Sequence, residues 1–255
     1  MIIPIFFSNP KLKNITISDD WEVVMTKVVV VNGSPRINKG NTAFVLEPFL
    51  QGLEEQGAEV QLLYASQLKV MPCNCGHLYC WNRSPGQCIH KDAMEKVFPL
   101  LKAADNLVLA TPVYIPLPGD FQNFINRLCP LLQPEIAFRE GRTRAQFRED
   151  VHIRNIALLA TNGWWERENA DTVIRIAKEL SAVAGVSFGG AMVRPHAHEL
   201  RRAGTSSEAR QIVVDALKAA AVELLTQGSI NANTLDAISR PLISREEFFN
   251  NWNGN

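Results

Sequence analysis

Hydroxyl and amide donors crowd one short stretch, VVVVNGSPRINKGNT at residues 28–42, where Ser34, Asn41 and Thr42 stand among Gly33 and Gly40. Glycines let backbone N–H groups come close to an anion, and a helix opening near Asn41 would turn its own free N–H groups into the same loop. Two common phosphate-binding signatures are absent: there is no G-x-G-x-x-G, and Lys39 precedes Gly40 with no Lys-Ser/Thr pair behind it. What remains is chemistry for one terminal phosphate held without metal or lysine. The plain alternative is a strand-to-helix turn with Asn41 as its cap.

Two later stretches carry a different character. The run Thr111-Pro112-Val113-Tyr114 makes a rigid, apolar, partly aromatic turn, suited either to lie along a flat ring or to fill the core. Thr161, Asn162 and Gly163 then bring hydrogen-bonding groups next to Trp164 and Trp165, a pair that reads equally as core or interface. A third kind of chemistry sits in PCNCGHLYCWNRSPGQC, where Cys73, Cys75, Cys80 and Cys88 follow the spacing C-x-C-x4-C-x7-C. Four cysteines so close suggest an iron-sulfur cluster or zinc, against reduced thiols packed in a loop. Cys129 reads as helix core, and His196 and His198, lacking a third ligand nearby, as surface or interface residues.

These residues need a scaffold. The chain has 255 residues with 26 basic and 26 acidic side chains, so no global positive field favours nucleic acid or an anionic membrane. No apolar run approaches a membrane span, and the short N-terminal MIIPIFF lacks the flanks of a signal peptide; with five cysteines, this points to a cytoplasmic protein with reduced thiols. Short apolar runs at 27–32, 59–64, 106–111, 153–161 and 186–193 alternate with stretches of helical period, the pattern of a parallel sheet buried on both faces. The expected fold is α/β, a flavodoxin-like doubly wound five-stranded parallel sheet of order 2-1-3-4-5. In such a sheet ligands bind beyond the carboxyl ends of the strands, where all three loops described above emerge.

Local signals place the helices. Asp120 is the expected N-cap of a helix burying Phe121, Phe124, Ile125 and Leu128 and stopped by Pro130; Asp92 and Glu95 have capping-box spacing; Gly185 and Gly228 stand where two helices should end. Pro48 and Pro99 fall inside helical patterns and predict kinks. Residues 1–25 are expected to form an extension, 26–228 the main domain and 229–255 a C-terminal tail.

GSPR followed by GNT, then TPVY followed by FINR, resembles the NAD(P)H-dependent FMN reductases and the related iron-sulfur flavoproteins of the flavodoxin-like superfamily. The resemblance implies FMN, its phosphate held by Ser34, Arg36, Asn41 and Thr42, its isoalloxazine along Pro112, Val113, Tyr114 and Ile115, its pyrimidine edge at Thr161, Asn162 and Gly163. It implies NAD(P)H as co-substrate, a quinone, free flavin or similar small acceptor, and a homodimer or homotetramer. An alternative is an electron carrier working with a partner protein through a cluster, although the cysteine spacing departs from the C-x2-C-x2-C of those flavoproteins. A flavin-free interaction module would leave the GSPR and GNT elements without a role. Arg139, Arg142, Arg144 and Arg148 are candidates for the 2′-phosphate of NADPH or a subunit contact, or simply a solvated loop.

Overall fold

The computed structural model describes residues 25–202 and 204–254; the expected extension therefore lies, except for Met25, outside the described residues. Along the chain run β1 (Lys27–Asn32), α1 (Asn41–Glu55), β2 (Glu59–Tyr64), the short helices α2 (Ala65–Leu68) and α3 (Tyr79–Asn82), α4 (Met94–Ala103), β3 (Asn106–Pro112) and α5 (Gly119–Asn126). A hairpin of β4 (Ala137–Arg139) and β5 (Arg142–Arg144) follows, then β6 (Asn155–Thr161), α6 (Asp171–Ala184), β7 (Ser187–Arg194), α7 (Ser207–Gln227), α8 (Ala232–Ser239) and α9 (Arg245–Asn253).

Four consecutive β-branched valines, Val28 to Val31, make β1 a strand that is buried on both faces. It sits inside a parallel sheet of order β2-β1-β3-β6-β7, which is 2-1-3-4-5 once the separate hairpin is set aside, as expected for the flavodoxin-like fold. Odd and even residues of each strand feed two cores. Val28, Val30, Val108 and Leu159 pack under α1 and α7, and Val29, Val31, Leu107 and Leu158 pack under α4, α5 and α6. At the α1–α7 crossing a Cβ on Gly52 would stand 2.9 Å from the Ala221 side chain, so the glycine sets how closely the helices approach.

Gly185 and Gly228 end α6 and α7 with φ of 75° and 71°, left-handed positions that cost glycine little. Neither Pro48 nor Pro99 interrupts its helix. Three local expectations are corrected. Pro118, not Asp120, is the N-cap of α5, and the helix stops at Asn126, so Leu128 is buried beyond its end. Ala93 holds the N-cap position of α4 and Glu95 pairs with Lys91, while the Asp92 carboxylate accepts both the Met94 N–H and the guanidinium of the buried Arg127. The charged stretch 138–150 folds in part into the β4–β5 hairpin, anchored where Arg139 donates to the Ala145 carbonyl just after β5 and to the Ala182 and Val183 carbonyls at the end of α6.

Candidate functional site

Register brings the three loops to one edge. Asn32 pairs with Ala110, and Pro112 pairs with Thr161, so β1, β3 and β6 release their loops side by side. The first loop is held by its own polar groups: the Gly33 N–H donates to the Ala110 carbonyl at 2.7 Å, the Ser34 N–H to Asn32 Oδ1 at 2.9 Å, and the Arg36 N–H to Ser34 Oγ at 3.3 Å. A Cβ at Gly33 would lie 2.4 Å from the Phe121 ring, and one at Gly40 2.7 Å from Ser34 Oγ. Only glycine allows this turn to close. Gly40, not Asn41, is the N-cap of α1, and no side chain caps the helix. The first amides of α1 are therefore available to an anion, with Ser34 buried and Arg36 exposed at the loop.

Thr42 and Thr161 meet hydroxyl to hydroxyl at 2.8 Å, both buried. The contact ties the first loop to the third, which gives both side chains a positioning part that their spacing in the sequence could not show. Thr42→Ala should lower stability by about 1–3 kcal/mol by leaving the Thr161 hydroxyl unpaired, measured by denaturant unfolding.

In the second loop the Val113 N–H donates to the Thr161 carbonyl at 2.8 Å and Tyr114 N–H to the Pro116 carbonyl at 2.9 Å, leaving the Tyr114 and Ile115 side chains exposed. In the third, Asn162 is buried; its Nδ2 donates to the Glu166 carbonyl, and its Oδ1 has no partner among the described residues. Gly163 faces open space. Trp164 is exposed beside them and packs on Trp252 of α9, ring centroids 5.6 Å apart. The three predicted groups thus converge on one surface that is polar at the α1 end and apolar at the Tyr114 end.

The C-terminal segment is latched onto this edge by residues of β7 and the turn after it. Arg194 is wholly buried and donates to the carbonyls of Pro195, Ile238 and Arg240. His196, expected at the surface, is also wholly buried: its Nε2 accepts the Leu242 N–H at 3.1 Å and faces the Arg194 guanidinium at 3.4 Å, which requires the neutral ring. Burial first, and then Arg194, push the His196 pKa down from 6.5 to about 4. Since the unfolded histidine holds its proton more tightly, this contribution to stability is complete above pH 6.5 and is lost as pH falls toward 4, on the order of 3 kcal/mol. Tryptophan emission followed from pH 7 to 4.5 should report it, because Trp165 stacks on His196 and donates to the Ile243 carbonyl.

The cysteines form a second, separate cluster. Cys129 lies in a 3-10 turn after α5 rather than in a helix, half-buried, and Trp81 of α3, next to the buried Cys80, donates its Nε1 to the Cys129 carbonyl at 3.0 Å. The neighbouring Cys129 and burial raise the Cys80 pKa above the ordinary thiol value, while the neighbouring Cys80 lowers that of Cys129 against the effects of burial and of Cys73, Cys75 and Cys88. Among the described residues no three Cys, His, Asp or Glu side chains converge where they could hold a metal ion. The arginine stretch is likewise committed: Arg142 and Arg144 pair with Glu179, and Arg148 with Asp150.

Residues 26–150 match the protein family described as NADPH-dependent FMN reductase. An iron-sulfur flavoprotein of Methanocaldococcus jannaschii is 42% identical over 118 residues, 46% of this chain and 57% of that protein; one of Methanosarcina thermophila is 30% identical over 170 residues, 58% of this chain and 86% of that protein. The chain spans about half the length of the first of these relatives and of two from Archaeoglobus fulgidus, 46% and 48%. Among solved structures, an NAD(P)H:quinone oxidoreductase from Methanothermobacter marburgensis superposes with a TM-score of 0.56 at 18% identity, over 80% of this chain and 98% of that one. An azoreductase from Bacillus anthracis gives 0.53 at 16%, over 78% and 98%. These two likenesses establish the fold, and the sequence matches carry the assignment: the chain belongs to the NADPH-dependent FMN reductase family.

Proposed function

We propose that the protein is an FMN-containing NAD(P)H-dependent oxidoreductase that passes reducing equivalents to a small acceptor such as a quinone or a free flavin. The observation that carries the reading is the single edge on which an uncapped helix start, an apolar turn and a buried amide with an unpartnered oxygen lie side by side. Bound FMN would supply the hydride-accepting ring, so the protein needs no acid-base triad of its own. Ser34, Arg36, Asn41 and the first amides of α1 would hold the phosphate, with Thr42 fixing that loop to the third through Thr161. Pro112, Val113, Tyr114 and Ile115 would pack along the ring. Asn162 and Gly163 would meet its pyrimidine edge, the unpartnered Asn162 Oδ1 accepting from a ring N–H, while the Thr161 side chain stays on Thr42. The exposed Trp164 and Trp252 would border the face open to nicotinamide and acceptor.

A homodimer or homotetramer completes this reading, with the exposed Ile136 and Phe138 of the hairpin region as the apolar contact; light scattering of the purified chain tests it. The decisive experiment is an absorbance spectrum of purified protein before and after anaerobic NADPH. The flavin band should bleach and return on adding a quinone. Protein that neither carries nor binds FMN would sink the proposal. Iron and acid-labile sulfide in stoichiometric amounts, with no turnover of NADPH unless a partner protein is added, would favour the electron-carrier reading instead.

A further inference from the structure

The cysteine cluster lies outside the flavin surface and is not used by the proposed reaction. Its contacts bring together two cysteine-bearing segments far apart in the chain. α3, which carries Cys80, packs on the turn that begins at Cys129, and Trp81 Nε1 donates to the Cys129 carbonyl at 3.0 Å. The two backbones are thus held together independently of any bond between the sulfurs. Cys80 is 5% exposed, while Cys129 is only half-buried, so the two differ in their access to solvent.

We propose that Cys80 and Cys129 form a reversible dithiol–disulfide pair that responds to peroxide-class oxidants. The reachable Cys129 sulfur attacks the peroxide, forming its S–O bond as the O–O bond breaks and releasing one water. The buried Cys80 thiol then attacks that sulfenic acid sulfur, forming the S–S bond and expelling a second water. Two thiols lose two electrons and two protons, and the peroxide takes up both. A small dithiol returns the pair to its reduced form by exchange. Cys73 and Cys75 are neighbours in the chain, but a bridge between residues separated by one position closes a small, strained ring.

The test uses the full chain. Equimolar hydrogen peroxide should lower the intact mass by about 2 Da, reversibly with dithiothreitol. Tandem mass spectrometry of a tryptic digest should find residues 70–83 joined to residues 128–139 with the link at Cys80 and Cys129. The oxidised protein should melt at a higher temperature than the reduced one, because the link closes a long loop. Cys129→Ser should abolish that cross-linked peptide, and Cys73→Ser should leave it. A link confined to Cys73 and Cys75, overoxidation of Cys129 without any link, or iron and sulfide bound in stoichiometric amounts and lost in Cys80→Ser would each overturn the proposal. The wild-type digest discriminates among these outcomes even if a variant fails to fold.

Discussion

Asp92→Ala should lower the free energy of unfolding by about 3–5 kcal/mol, the cost of leaving a buried charge without its partner. Arg127 is 1% exposed, and the Asp92 carboxylate receives both of its terminal nitrogens, at 2.7 and 3.1 Å, together with the N–H groups of Met71 and Met94 at 3.0 Å. One carboxylate thereby joins the start of α4 and the loop leading to the cysteines to the residue that follows α5. Burial alone would raise the Asp92 pKa, but Arg127 and the two backbone donors outweigh it and hold the carboxyl below the ordinary 3.8. Its stabilising contribution is complete well above that value and is lost as pH falls below it, through the lower folded-state pKa. Urea unfolding at neutral pH measures the loss. A variant within about 1 kcal/mol of the parent would mean that Arg127 finds another partner or reaches water.

Ser34→Ala should weaken FMN binding about ten- to a hundredfold, the range expected when a hydrogen bond to a charged group is removed. The hydroxyl is buried at the turn, accepts the Arg36 N–H, and keeps its own proton free to donate to a phosphate oxygen. Quenching of free FMN fluorescence on titration with the apoprotein gives the ratio directly. Riboflavin, which lacks the phosphate, should lose nothing. Equal losses for the two ligands would place the phosphate elsewhere and remove the role assigned to the GSPR turn. Thr42→Ala makes a useful comparison, since its loss should fall mainly on stability, through Thr161.

The elements that position the site were readable because their signals are local. β1 and β2 occupy the spans expected, and the ends of β3, β6 and β7 differ by one or two residues. Helix starts were less legible. Asp92 and Asp120 have the composition of caps, yet the first divides its carboxylate between the Met94 N–H and Arg127 and the second lies inside the first turn of a helix that Pro118 opens. Capping composition states what a side chain is able to do locally and is silent on a stronger partner that arrives from 35 residues away.

What the sequence by itself determined is the sheet, its strand order and the three loops at its carboxyl edge, because β-branched runs, glycine turns and helical periodicity act between near neighbours. Only the tertiary structure decided which distant side chains meet. Thr42 found Thr161, the Cys129 carbonyl met the Trp81 indole of α3, and His196 became a buried acceptor for the Leu242 N–H. Each is a contact between segments whose local sequences are compatible with many partners. The choice among them is made by packing, when a buried polar group must take whichever complementary group the fold brings within reach.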